Sequence, residues 1–199
     1  MDIRRTQYEE AILTATPITP EQFIGGAFDD DIMRRISAIV EAEGPVMHAV
    51  LAKRLINSYG MQQLGRRLRE KFEGLLATMD FPTTVQAGGT VYWKRQAPAE
   101  GAFADSYRCY RYSDDESHRY SYQIPLPEVV NAMEEALGQT GRKFVAKGEL
   151  FSITARLLGY QRKGASVRAI LEEALAAGCT AKRFTKSGNG RIALSGSGE

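Results

Sequence analysis

Cysteine is scarce in this chain: Cys109 and Cys179 are the whole complement. They stand far apart and in no CxxC spacing, which excludes a dithiol redox pair and a disulfide framework and fits a reducing compartment. Histidine is equally scarce. His48 and His118 each lack a cysteine or acid at metal-ligand spacing, so neither opens a zinc site. The Gly-x-Ser-x-Gly elbow of a serine hydrolase is missing. So is the glycine-rich loop ending in Gly-Lys-Ser/Thr that cradles a nucleotide phosphate. Charge of one sign is lacking too. The 26 Lys and Arg stand against 24 Asp and Glu, a net charge of +2. Any nucleic-acid contact must therefore rest on local patches rather than on a whole-protein field. No apolar run has the length of a membrane span. The charged first residues lead into no apolar signal segment. The expectation is a cytoplasmic protein with no membrane partner, no cofactor and no metal, and a binding module rather than an enzyme.

What is present is a repeat. The run Gly60-Met61-Gln62-Gln63-Leu64-Gly65-Arg66-Arg67-Leu68-Arg69 continues to Phe72, Glu73 and Leu76. About a hundred residues on, Gly159, Gly164, Val167, Arg168, Leu171, Glu172 and Leu175 match it without a gap. One pattern at one offset predicts two copies of a supersecondary unit. Gly60 and Gly159 are expected to end a helix in a left-handed turn. Gly65 and Gly164 are expected at close helix packing.

Residues 1–30, with Pro17, Pro20, Gly25-Gly26 and Asp29-Asp30-Asp31, read as a weakly ordered N-terminal arm. Residues 31–95 read as the first unit. Ile32, Ile36, Ile39 and Val40 recur at helical spacing up to Gly44-Pro45, and Val46, Val50, Leu51 and Leu55 mark a second helix. A third helix spans about 64–78, and strands near Thr84-Val85 and Val91-Trp93 flank Gly88-Gly89. Residues 126–195 repeat the order. Val129, Met133 and Leu137 mark one helix, Leu150, Ile153 and Leu157 the next, and about 163–177 the third, with Gly178 expected as its C-cap. Strands at 181–185 and 191–194 flank Ser187-Gly188-Asn189-Gly190, a strong hairpin signal. Residues 196–199 read as a flexible tail. Three helices and a glycine-tipped hairpin are the order of a winged helix-turn-helix.

Residues 96–125 read as a linker, dense in Tyr107, Arg108, Tyr110, Arg111, Tyr112, Arg119, Tyr120 and Tyr122. The expectation is a β-hairpin turning at Ser113–Ser117, which also accounts for Asp114-Asp115-Glu116 without a bound cation. Its aromatics either stack single-stranded bases or pack inward while the arginines face water. The packing alternative is preferred.

Several short motifs in order carry a resemblance. Val40-Glu41-Ala42-Glu43-Gly44-Pro45, Leu51-Ala52-Lys53-Arg54-Leu55 and Gly65-Arg66-Arg67-Leu68-Arg69 are followed by Ile124-Pro125-Leu126-Pro127-Glu128. Then come Ala155-Arg156-Leu157-Leu158-Gly159-Tyr160 and Lys163-Gly164-Ala165-Ser166-Val167-Arg168. Together they resemble a domain of unknown function at the C-terminus of bacterial superfamily-one helicase-like proteins, some of which carry a restriction-endonuclease-like domain before it. The resemblance covers about residues 30–195. It implies a helicase or nuclease context and no chemistry of its own.

On the first unit's third helix, Leu64, Leu68, Phe72 and Leu75 share the core face. Arg66 and Glu70 then point outward with Arg67 and Lys71 beside them, which makes Arg66, Arg67 and Lys71 candidates for phosphate or base contact. The corresponding face of the second unit carries Ala165, Ser166 and Ala169, so its candidates lie elsewhere: Arg162 and Lys163 before the helix, and Lys182, Arg183, Lys186 and Arg191 around the hairpin. The pairs Arg69/Glu73 and Arg168/Glu172 are expected as i,i+4 ion pairs of a few tenths of a kcal/mol. The fold expected is α+β and helix-rich, with tandem winged helix-turn-helix units joined by a β-hairpin linker. The function expected is a nucleic-acid-binding accessory module, with DNA as the favoured partner, beside a helicase or nuclease in DNA transactions or defence. A protein-interaction module, with a homodimer as one form, is the alternative.

Overall fold

Apolar residues three and four apart do most of the building here. In the computed structural model, which describes residues 2–96, 106–115 and 117–196, the described residues form seven helices and seven strands, a helix-rich α+β fold. The chain divides into two compact units. One comprises Glu9–Gly101; the other comprises Met1–Tyr8 together with Ala102–Glu199. They are called the first and second units below.

The first unit opens on α1 (Pro20–Ile24), where Thr19 and Gln22 form a reciprocal capping box and Pro20 sits in the first turn. Helix α2 (Asp29–Glu43) starts with three aspartates on its positive dipole end and buries Ile32, Ile36, Ile39 and Val40. Strand β2 (Val46–Met47) leads directly into α3 (His48–Ser58), which buries Val50, Leu51 and Leu55. Helix α4 (Arg66–Ala77) buries Leu68, Phe72 and Leu76. Strands β3 (Thr83–Gln86) and β4 (Gly89–Tyr92) form an antiparallel hairpin, and Val46 of β2 pairs with Tyr92 on its other side, giving the order β2-β4-β3.

The second unit begins with β1 (Arg4–Gln7), which pairs in parallel with β5 (Cys109–Tyr112) in the register Arg4 to Cys109 and Gln7 to Tyr112. Helices α5 (Leu126–Gln139), α6 (Lys147–Leu157) and α7 (Ala165–Thr180) follow, then the antiparallel hairpin of β6 (Phe184–Lys186) and β7 (Ile192–Leu194). Their core gathers Val129, Met133, Leu150, Leu171, Phe184 and Ile192. Val145, between α5 and α6, exchanges two backbone hydrogen bonds with Ile192, at 2.8 and 2.9 Å. That bridge holds the place that β2 holds in the first unit. The order helix, short pairing segment, two helices, hairpin thus recurs, with the last strand in the middle.

Several expectations need correction. Residues 107–122 are no hairpin: β5 takes a partner from residues 4–7, and the chain after it runs through a single 3-10 turn at Ser121–Gln123. Arg111 and Arg119 do not face water but are buried on Glu128, which also explains why the second arm leaves the strand. Part of the expected arm is tied down. Beyond β1, Thr16 N donates to Ser58 O and the buried Arg35 donates to Thr14 O and Thr16 Oγ1, each within 2.8 Å. Gly65 and Gly164 are the N-caps of α4 and α7, with open space where a Cβ would stand, so no close packing requires them. Residues 97–105 and Glu116 of the expected linker and residues 197–199 of the tail lie outside the described residues.

Gly178 does not end α7, which runs on to Thr180. It is needed for another reason: a Cβ there would overlap the Phe184 ring. Gly178→Ala is expected to cost about 1–3 kcal/mol through overpacking, read as a lowered urea midpoint. An unchanged midpoint would mean that the ring yields without cost.

The two glycines that precede the third helices behave as the repeat predicts. Gly60 has φ +75° and Gly159 has φ +94°. No helix among the described residues is long and apolar enough to cross a membrane.

Candidate nucleic-acid interface

Helix α4 shows its basic residues unequally. Gly65 supplies the N-cap without a side chain, so the first turn presents Arg66 and Arg67 directly to solvent. The Arg66 side chain is 90% exposed, and its Nε donates to Glu70 Oε1 at 2.9 Å. An exposed i,i+4 pair of this kind yields readily to a better anion. Lys71 is only 21% exposed, and its Nζ lies 2.6 Å from Asp29 Oδ2 at the start of α2. It links α4 to α2. Arg69 is exposed and reaches back toward Leu64 O at 3.5 Å.

Beside α4 stands His48, the first residue of α3. Its ring lies 5.4 Å from that of Phe72 and 5.9 Å from that of Tyr92, with Nε2 at 3.9 Å from Glu73. Burial pushes its pKa below the usual histidine value; Glu73 works against that and Arg69 adds to it. Glu73 thus faces His48. In the second unit Glu172 pairs with Lys147 on α6 at 2.5 Å. The hairpin of the first unit carries no charge over Thr83–Tyr92.

The second unit reverses this distribution. On α7, Ala165, Ser166 and Ala169 are exposed and uncharged. The hairpin is basic instead. Lys186 and Arg191 are exposed on either side of its tip, which is closed by Ser187 N to Arg191 O and Gly190 N to Ser187 O, both 2.9 Å. Lys182 is exposed with φ +56°. Arg183 turns inward: its Nε donates to Glu134 Oε2 at 2.7 Å and its Nη2 to Asn131 Oδ1 at 2.7 Å. Arg162 is exposed before α7, and Lys163, also exposed, leans on Ser152 Oγ and Gly148 O. The candidates therefore fall into three groups. Arg66 and Arg67 stand together in the first unit. Lys182, Lys186 and Arg191 surround the hairpin of the second, with Arg162 and Lys163 ahead of α7. Lys71 and Arg183 are engaged in ion pairs between elements.

Sequence reasoning missed a cluster of buried charges. Glu128, in the first turn of α5, is fully buried. It accepts from Arg111 N at 2.9 Å, Arg111 Nε at 3.1 Å and Arg119 Nη1 and Nη2 at 3.2 Å. The Tyr8 ring covers Arg119 at 4.3 Å and Arg111 at 5.3 Å. The one available signal was the alternation of arginine with tyrosine, which places Arg111 on one face of the strand. Among the described residues, no three His, Cys, Asp or Glu side chains are grouped to share a metal ion.

Residues 21–70 match the model of a family described as a protein of unknown function (DUF3320). The match runs from α1 through α2 and α3 into the first turn and a half of α4, and so takes in Arg66 and Arg67. No curated protein and no solved structure matches the chain.

Proposed function

We propose that this chain is a nucleic-acid-binding module made of two winged helix-turn-helix units, and that it serves a helicase or nuclease in DNA transactions or defence in the cytoplasm. The observation that carries this reading is the exposed basic turn of α4. In a winged helix-turn-helix the third helix enters the major groove and the hairpin touches the backbone. Arg66 and Arg67 occupy the N-terminal turn of that helix, where side chains reach base edges and phosphates. Lys186 and Arg191 occupy the tip of the second unit's hairpin. The recurring element order in both units supports the same reading. Binding, not catalysis, is the role assigned.

A salt titration of fluorescence anisotropy with labelled duplex DNA tests it. Arg66→Ala/Arg67→Ala is expected to weaken binding and to lower the slope of log K against log salt by about one unit for each phosphate left without its cation. Lys186→Ala/Arg191→Ala is expected to act likewise. Lys71→Ala should lower stability and leave the slope alone. Wild-type slopes in both double variants would overturn the assignment.

One observation favours a second reading. The outward face of α7 carries the small residues Ala165, Ser166 and Ala169 and the acidic Glu172 and Glu173, which suits a protein partner better than a duplex groove. An assembly module would show a homodimer in light scattering and no retention of DNA on a gel.

A further inference from the structure

The segment that follows β5 exposes aromatic surface that the fold does not use. Along Arg119–Tyr122 burial alternates: Arg119 and Ser121 are buried, while Tyr120 and Tyr122 remain 57% and 59% exposed. Their rings stack on each other with centroids 5.7 Å apart and planes 6° apart. The backbone beneath them is fixed at several points. Tyr120 N donates to Gln123 Oε1 at 2.7 Å, Tyr160 Oη donates to Arg119 O at 3.0 Å, and the Arg119 guanidinium is locked on Glu128. His118 stands edge-on to Tyr120, 5.2 Å away, and also lines a cleft of about 520 Å³ shared with Asp114, Asp115, Tyr160, Gln161 and Arg162.

We propose that Tyr120 and Tyr122 form a stacking platform for unpaired bases of single-stranded DNA, with Arg162 placed to take the adjoining phosphate. The inference rests on the nucleic-acid reading above and adds the strand form. Two large rings left half in water cost hydrophobic free energy unless something covers them. A base has the flat π-face to do so, and base–aromatic stacking tolerates any sequence. The parallel rings also argue against a cage for a quaternary ammonium, which needs aromatic faces turned toward a common centre. Asp114 and Asp115 line one part of the cleft and disfavour a phosphate beside them, so the backbone belongs by Arg162 and the bases on the tyrosines. Fixed anchors on both sides keep the platform in place before binding, which lowers the ordering cost of association.

The test compares three labelled probes in anisotropy titrations: a blunt duplex, the same duplex with an oligothymidine tail, and oligothymidine alone. The wild-type protein is expected to prefer the tailed probe to the blunt one and to bind oligothymidine measurably. Tyr120→Ala/Tyr122→Ala should lose about tenfold to a hundredfold on oligothymidine and abolish the tail preference, with blunt-duplex affinity unchanged. Tyr120→Phe/Tyr122→Phe should keep wild-type values, because stacking needs the ring and not the hydroxyl. Both positions are exposed, and thermal melts of the variants should coincide with the wild type. Equal oligothymidine affinity in the alanine variant overturns the platform. So does a wild-type protein that binds the blunt duplex but neither prefers the tail nor binds oligothymidine, and in that case the duplex reading stands. Binding to none of the three probes overturns both.

Discussion

Glu128→Gln is expected to destabilise the second unit by about 3–5 kcal/mol, the range for breaking a buried ion pair from one side. The carboxylate is fully buried and accepts hydrogen bonds from the Arg111 backbone, the Arg111 guanidinium and the Arg119 guanidinium. Glutamine keeps the shape but removes the negative charge. Two guanidinium groups then remain together under the Tyr8 ring without the charge of Glu128 beside them. The same carboxylate makes stability depend on pH. Burial alone would raise its pKa, but the attraction and hydrogen bonds of Arg111 and Arg119 outweigh that and hold it at about 2. A folded-state pKa below the unfolded value means that the contribution is complete above the usual glutamate range and is lost as pH falls through that range toward 2. Urea unfolding at pH 7 should therefore separate wild type from Glu128→Gln widely. The gap should narrow steadily between about pH 4.5 and pH 2. A gap that is small at pH 7, or constant down to pH 2, would show that the buried charge is not what holds this cluster.

Gly159→Ala is the second large effect, and its counterpart Gly60→Ala provides the control. Both glycines end the second helix of a repeat in a left-handed conformation, at φ +94° and +75°. For either, a Cβ brings a strain of about 1–2 kcal/mol. At Gly60 the nearest atom to that Cβ would be Pro17 Cβ, at 3.4 Å, an ordinary contact. At Gly159 the Cβ would overlap Ser113 O and stand 2.8 Å from Ser113 C and 3.0 Å from Ser113 N. The backbone cannot move aside easily, because Ser113 N already donates to Leu158 O at 3.1 Å. Overpacking of about 1–3 kcal/mol adds to the strain, so Gly159→Ala should cost about 2–5 kcal/mol. Gly60→Ala should stay near the strain alone. Equal losses in the two variants, measured by urea unfolding, would mean that Ser113 gives way.

The helices were legible because their core residues recur at one spacing. Ile32, Ile36 and Ile39 in α2 and Leu68 and Phe72 in α4 are buried as that spacing requires, and Arg66 and Arg67 point outward for the same reason. Periodicity gives a face but not the partner on it. Lys71 lies on a flanking position of α4 and Arg183 in the turn between α7 and β6, yet Asp29 of α2 and Glu134 of α5 capture them. The Tyr/Arg stretch failed on the same ground. Alternation marked β5 as a strand, but its partner is at residues 4–7, and no local signal connects the two. Arginine normally reads as surface. Arg111 and Arg119 are buried because Glu128, many residues further on, neutralises them there.

The parallel pairing of β1 with β5 also sets a timetable. Residues 4–7 leave the ribosome before residues 9–101, and their partner strand is made only after the whole of that stretch. The first unit has all of its own chain by then and can fold while β1 waits with its edge unpaired. Completing the second unit means closing that long loop, and the entropic cost of closure grows only slowly with length. A fragment that starts at residue 102 would contain every helix of the second unit and still lack the strand and the Tyr8 ring that cover its buried arginines.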